Sequence, residues 1–223
     1  MNRINWMFSN RFRSHWIKVK FYKEKPELVE TKIPEKIRFC EATKDAILRP
    51  ILLSKDNVDC PGAQYAFGWN RSNEGKNKIL DICQNKRGMQ KDKLNIMLEH
   101  SPYFENPYKF IGLNTEGEPD ILMSYISPEE AMNLLNIYNS YQGEDMDISL
   151  SGMMPICGGV AVKTFLDEKV NFSFGCSDSR KYAQIGRDRL AVGIPKKLFK
   201  IFVLPEAAAI STEDLKVASE VMV

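Results

Sequence analysis

The chain has 223 residues, 43% hydrophobic and 27% charged, with 31 basic against 29 acidic side chains for a formal charge of +2. That length carries one substantial core; the near-balanced charge offers no field to gather a nucleic-acid backbone, and no apolar stretch approaches the length of a membrane span. The composition therefore excludes a nucleic-acid partner and a membrane span, and predicts one compact domain over 1–223, located in the cytoplasm.

Before the first acidic residue, Glu24, the segment "NRINWMFSNRFRSHWIKVK" mixes Arg3, Arg11, Arg13, Lys18 and Lys20 with Trp6, Phe8, Phe12 and Trp16. It lacks the apolar run of a secretory signal, and reads as an entry helix leading into a strand, "WIKVKFY", that alternates with period two. "PEKIRFCEATKDAIL" opens on Pro34 and repeats apolar residues at helical spacing. A short strand is expected at Ile51 to Leu53, a turn over Lys55 to Asn57, and a helix starting near Cys60 with Pro61 in its first position, where a missing N–H costs nothing.

Residues 70–77 read as a polar loop, followed by amphipathic helices around "KILDICQNKRGM" and "KDKLNIMLEH". "YKFIGLN" and "DILMSYI" are strands separated by the turn-like "TEGEP", which predicts a hairpin or neighbouring sheet strands. "SPEEAMNLLNIYNSY" carries Ser127 as N-cap, Pro128 at the first position and two glutamates in the first turn, a strong helix start. The last third predicts a short strand in "DISLS", a helix from about Cys157 through "GGVAVKTFLDE", a strand "VNFSFG", a helix from Cys176, a strand "RLAVGI" and a helix opened by Pro195. Residues 205–223 read as a final helix or a tail.

Five cysteines, an odd number without an export signal, argue for thiols rather than a disulfide framework. Cys40 and Cys60 are 20 positions apart, and Cys157 and Cys176 are 19 apart. In both units one cysteine lies near a helix start, a strand follows, and the second cysteine immediately precedes another helix. An offset of 117 that carries Cys40 onto Cys157 also carries Tyr65 onto Tyr182 and Ala66 onto Ala183. The fold class expected is α/β (α+β): two related halves, about 16–115 and 116–204, packed as one domain around a pseudo-twofold axis.

A helix start leaves N–H groups unpaired and favours negative charge, so it stabilises thiolate. Four such positions would make a nest of sulfur ligands ringed by backbone donors, suited to an iron–sulfur cluster, most simply [4Fe–4S], on Cys40, Cys60, Cys157 and Cys176. Zinc is the alternative, although no C-x-x-C pair occurs. Metal-free readings are a thiol redox enzyme or sensor using Cys60 or Cys176, and a non-catalytic small-molecule-binding protein whose cysteines are buried filler. Cys83, in "ILDICQN", fits filler best. Further site candidates are Gly62, Gly158 and Gly159, which let backbone or ligand approach closely; Arg180, to offset thiolate charge; and Tyr65 and Tyr182, as phenolic donors. With only His15 and His100, a histidine-rich metal site is excluded, and His100 reads as a helix C-cap. "CGGVAVKT" lacks phosphate-loop spacing.

"RFCEATKDA", "DCPGAQYAFG", "SGMMPICGGVAV", "FSFGCSDSRKYA" and "LAVGIP" together resemble the family catalogued as domain of unknown function 169, uncharacterised proteins of archaea and bacteria. The resemblance runs from about Trp16 to Phe202 and implies that Cys40, Cys60, Cys157 and Cys176 belong to the family pattern while Cys83 does not. It implies no reaction. A redox partner protein or a small-molecule ligand is the partner expected, with oligomerisation open, and whether the protein is an enzyme is left open as well.

Overall fold

In the computed structural model, residues 12–27, 31–148, 150 and 152–203 are described. The expected entry helix falls largely outside them, as do residues 205–223, and residues 12–15 are not helical. Six strands form one antiparallel sheet: β1 (Trp16–Tyr22), β2 (Ile51–Ser54), β3 (Phe110–Leu113), β4 (Ile121–Ile126), β5 (Asn171–Ser173) and β6 (Leu190–Pro195), in the order β2-β3-β1-β4-β6-β5. The order reads the same from either edge when β1, β2 and β3 are matched with β4, β5 and β6. Each half places its third strand between its other two, and β1 and β4 meet at the centre, Trp16 opposite Ser124 and Val19 opposite Ile121.

The mixed α/β architecture is as expected, but β3 and β4 form no hairpin. β1 lies between them: β3 ends and β4 begins opposite Val19, and the "TEGEP" connection crosses the middle of β1, where Asn114 N–H and Asp120 N–H donate to the Lys18 and Val19 carbonyls at 2.8 and 2.9 Å. Eight α-helices surround the sheet among the described residues: α1 (Phe39–Asp45), α2 (Pro61–Ala66), α3 (Asn73–Arg87), α4 (Lys91–Glu99), α5 (Pro128–Gln142), α6 (Lys163–Asp167), α7 (Ser177–Lys181) and α8 (Phe199–Val203). A π-helix, Pro155–Val162, runs directly into α6, and a 3₁₀ turn, Lys196–Leu198, precedes α8.

Strand alternation sends side chains to two separate cores. On one face Ile17, Val19, Phe21, Ile121 and Met123 pack with α1 to α4 and the π-helix; on the other Trp16, Leu122, Ile126, Val192 and Ile194 pack with α5 and α8. The result is a three-layer sandwich with every cysteine on the first face.

Several boundaries move for physical reasons. The helix expected from Pro34 begins only at Phe39, since Ile37 is held extended by a bridge to Val58, its N–H donating to Asn57 at 2.9 Å. The 70–77 loop shortens because Ser72 caps α3, its Oγ accepting from Gly75 N–H at 3.1 Å. The "DISLS" strand does not form at 147, 148 or 150, and 149 and 151 lie outside the described residues.

The start of α5 is as expected and reaches further than the sequence shows. Ser127 Oγ accepts from Glu130 N–H at 3.1 Å, while the Glu130 carboxylate accepts from Ser127 N–H at 2.8 Å, Ser14 N–H at 2.8 Å and Ser14 Oγ at 2.7 Å. Burial acts to raise the Glu130 pKa, but these donors outweigh it and hold the carboxyl below its usual 4.5. The folded value being the lower, this stabilisation is present above the unfolded pKa and lost as pH falls through the folded one. Glu130→Gln is expected to cost about 1–3 kcal/mol at neutral pH, with the gap to wild type narrowing below about pH 4, read from urea unfolding at both pH values.

Candidate functional site

The first half presents two cysteines from α1 and α2, and the second half two from the π-helix and α7. Cys40 is the second residue of α1 and 7% exposed. Cys60 is the N-cap of α2, in extended conformation, with Pro61 in the first helical position. Cys157 is the third residue of the π-helix, 7% exposed, its thiol directed at the Met154 carbonyl 3.8 Å away. Cys176 is the N-cap of α7, where its sulfur accepts from Ser179 N–H at 3.3 Å and its own N–H donates to Ser179 Oγ at 3.0 Å.

All four line a single cavity of about 80 Å³, room for several water-sized groups. Cys60 and Cys176 are partly exposed and form its rim with Gly62 and Asp178; Cys40, Cys157, Met153, Met154 and Ile156 are buried and form its floor. Cys83, from mid-α3, is buried in the core as expected and also lines the cavity. None of the five cysteines is in a disulfide.

The local backbone is specialised around Cys157. Met154 sits in the left-handed region at φ 47°, ψ 47°, and its carbonyl accepts from both Gly158 N–H at 2.7 Å and Gly159 N–H at 3.1 Å, opening a π-helix eight residues long. Such runs are rare and concentrate at functional positions. Gly158 is needed for close approach: a Cβ there would lie 3.3 Å from the Pro102 carbonyl oxygen and 3.4 Å from Met154 Cβ.

Of the four thiols, Cys176 accepts a main-chain hydrogen bond, from Ser179 N–H; Cys40 and Cys60 stand at the starts of α1 and α2, and the Gly158 N–H next to Cys157 is taken by the Met154 carbonyl at 2.7 Å. Burial governs the other three thiols. Burial first, then Cys176 and Cys60, push the Cys40 thiol up to about 12. Cys157 is raised well above its usual value by burial and then by Cys60, Cys176 and Cys40, and Cys60 is raised by burial despite opposition from Ala63 N–H and Arg38. Beneath them the Tyr125 hydroxyl, 2.8 Å from Thr43 Oγ1, is also raised, by burial and then, against that hydrogen bond, by Cys40, Cys176 and Cys157.

The remaining candidates divide. Gly62 belongs to the rim, with Met154 Cγ 3.0 Å from where its Cβ would be. Gly158 and Gly159 stand behind Cys157 rather than on the cavity wall. Tyr65 and Tyr182 are not on the wall either: Arg71 Cζ lies 4.4 Å from the Tyr65 ring and Arg38 Cζ 4.1 Å from the Tyr182 ring. Arg180 is turned away, its guanidinium donating to the carbonyls of Phe174, Ile185, Gly186 and Arg189, so it braces the loop after α7 instead of offsetting thiolate charge. The cation near the thiols is Arg38, paired with Asp178 at 3.0 Å; its position two residues before Cys40 was the available signal. His100 is the C-cap of α4, its Nδ1 donating to the Ile96 carbonyl at 2.8 Å.

A profile of the family described as uncharacterised ArCR, domain of unknown function 169, matches residues 10–203. The chain belongs to that family. An uncharacterised protein of Methanocaldococcus jannaschii is 24% identical over 198 residues, covering 84% of each chain. No solved structure matches. The family match encloses all six strands and the whole cysteine site. No helix among the described residues is long and apolar enough to cross a membrane.

Proposed function

We propose that the protein holds an iron–sulfur cluster of the [4Fe–4S] type on Cys40, Cys60, Cys157 and Cys176 and works in electron transfer or redox sensing. One observation carries this reading: four thiols from four separate elements line one cavity, three of them at helix starts. When bound, such a cluster supplies one-electron redox chemistry whose potential responds to hydrogen bonds at its sulfurs and to burial.

The donor set fits this group better than its rivals. Among the described residues no three Cys, His, Asp or Glu side chains are grouped to hold a single metal ion, and tetrahedral zinc would need sulfurs about 3.8 Å apart, from Zn–S of about 2.3 Å. A cluster places each thiolate on a different iron and accepts a wider spacing. A metal-free nucleophile at Cys60 would need a lowered thiol pKa, whereas burial raises it there. Four thiolates can coexist here only around a strongly positive centre. Apolar floor residues Met153, Met154 and Ile156 keep water from the buried side, and the rim at Cys60 and Cys176 is the face open to a redox partner or small molecule.

Anaerobic purification tests the proposal. The expected protein is brown, absorbs broadly near ~400 nm, and contains equal iron and acid-labile sulfide; colourless protein with one zinc or no metal per chain overturns it.

A further inference from the structure

We infer that Met154 is a positioning residue of the cysteine site: its contact with Gly62 sets the spacing between Cys60 of the first half and Cys157 of the second. The inference rests on the cluster reading above. Met154 is the N-cap of the π-helix and is 8% exposed. The N-caps Arg38, Cys60, Ser72, Gln90, Ser127 and Cys176 are all extended, whereas Met154 stands at φ 47°, ψ 47°, a region that few residues other than glycine and asparagine occupy. A conformation of that kind persists only where its surroundings over-determine it, and here they do so from two sides. The Met154 carbonyl accepts from Gly158 and Gly159 N–H at 2.7 and 3.1 Å, with Cys157 Sγ 3.8 Å away. The Met154 side chain lies on α2: Cγ is 3.0 Å and Sδ 3.8 Å from the point where a Cβ on Gly62 would stand, and Cys60 Sγ is 3.9 Å from the same point.

The contact continues one turn along. A Cβ on Gly158 would stand 3.7 Å from Ala66 Cβ, so residues 62 and 66 of α2 meet residues 154 and 158 of the second half at the same spacing on each side. Three of these four positions carry glycine or alanine, which lets α2 and the π-helix approach closely; Met154 is the spacer between them. Cys60 begins one helix, and Cys157 sits between the two contacts on the other. A change at Gly62 or Met154 therefore moves one ligand relative to the other without touching a cysteine. Gly62 and Met154 are both on the cavity wall. A ligand set works only when its members are held to within about 0.5 Å. The role calls for the volume of the methionine and not for its sulfur.

The test reconstitutes wild type, Met154→Leu, Met154→Ala, Gly62→Val and the double variant Gly62→Val with Met154→Ala, anaerobically with iron and sulfide, under conditions where urea curves show each metal-free chain to be folded. Iron per chain and the EPR spectrum of the reduced cluster are measured. Met154→Leu keeps the volume and is expected to match wild type in both. Met154→Ala and Gly62→Val are each expected to hold about tenfold less iron, the loss typical of removing a residue that supports ligands. The double variant, in which valine fills the space the methionine leaves, should recover most of that loss, whereas two independent structural defects would compound. Should Gly62→Val not fold, Met154→Ala against Met154→Leu still decides. Full iron and an unchanged spectrum in Met154→Ala, or a double variant poorer in iron than either single one, overturns the role of Met154 while leaving the cluster intact. Wild-type protein that takes up no iron and sulfide overturns the cluster reading and the inference with it.

Discussion

Replacing Cys40, Cys60, Cys157 or Cys176 singly by Ser is expected to lower iron retention by at least about tenfold, since losing a ligand costs no less than losing the outer-shell partner of one. Cys83→Ala is expected to keep wild-type iron, although Cys83 lines the same cavity. The distinction is physical. Cys83 sits in the middle of α3, where main-chain N–H groups are already used within the helix. Cys40, Cys60 and Cys176 stand at helix starts, where the first N–H groups have no partner within the helix, and Cys176 Sγ already accepts from Ser179 N–H, while Cys157 lies in the first turn of the π-helix. Iron by mass spectrometry, scaled to protein, reads the result. Equal iron in all five variants, or loss confined to Cys83→Ala, would contradict the ligand set.

Gly193→Val is expected to abolish iron binding without touching a cysteine. Gly193 lies in β6 on the face that receives the π-helix, and a Cβ there would stand 2.5 Å from Thr164 Oγ1 and 2.7 Å from the Val160 carbonyl oxygen. The second contact is with backbone and cannot be relieved by a rotamer change. β6 is paired on both sides, with β4 and β5, so the sheet cannot yield either. The helix must therefore lift, and it carries Cys157 three residues before Val160. Gly193→Ala should cost about 1–3 kcal/mol as an overpacked site and Gly193→Val more, read from urea midpoints. A valine variant as stable as wild type with full iron would show that the π-helix is not seated as described.

The parts of the fold that the sequence makes legible are those whose signal is local. Ser127, Pro128 and Glu130 announce α5 by capping chemistry alone, and Pro61 after Cys60 marks the start of α2 in the same way. The alternation of "WIKVKFY" is enough for β1. What is not legible depends on partners distant in the chain. Ile37 reads as helical until Val58 and Asn57 are placed beside it. The separation of β3 from β4 follows from β1 taking the position between them, which no turn motif encodes.

The same division holds at the site. The helix starts at Cys60 and Cys176 are legible because a position at a helix start is a local property, whereas their common place on one cavity with Cys40 and Cys157 is set by the fold. Arg180, in the "CSDSR" run after Cys176, is the cation the sequence singles out, yet carbonyls on both sides of α7 claim it, and Arg38 reaches Asp178 from 140 residues away. Tyr65 and Tyr182 were placed by spacing alone and point to arginines instead of the cavity. The π-helix left only a faint trace, a Gly-Gly pair after Cys157, since its wide turn depends on the strained Met154 and on packing against Pro102.

Native mass spectrometry of the intact, anaerobically prepared chain tests the central claim most directly, because it weighs protein and bound group together. The account predicts one dominant species heavier than the polypeptide by a single iron–sulfur cluster, collapsing to the bare polypeptide mass when the iron is chelated. A chain that carries one zinc, or that flies at its polypeptide mass after reconstitution with iron and sulfide, would contradict it.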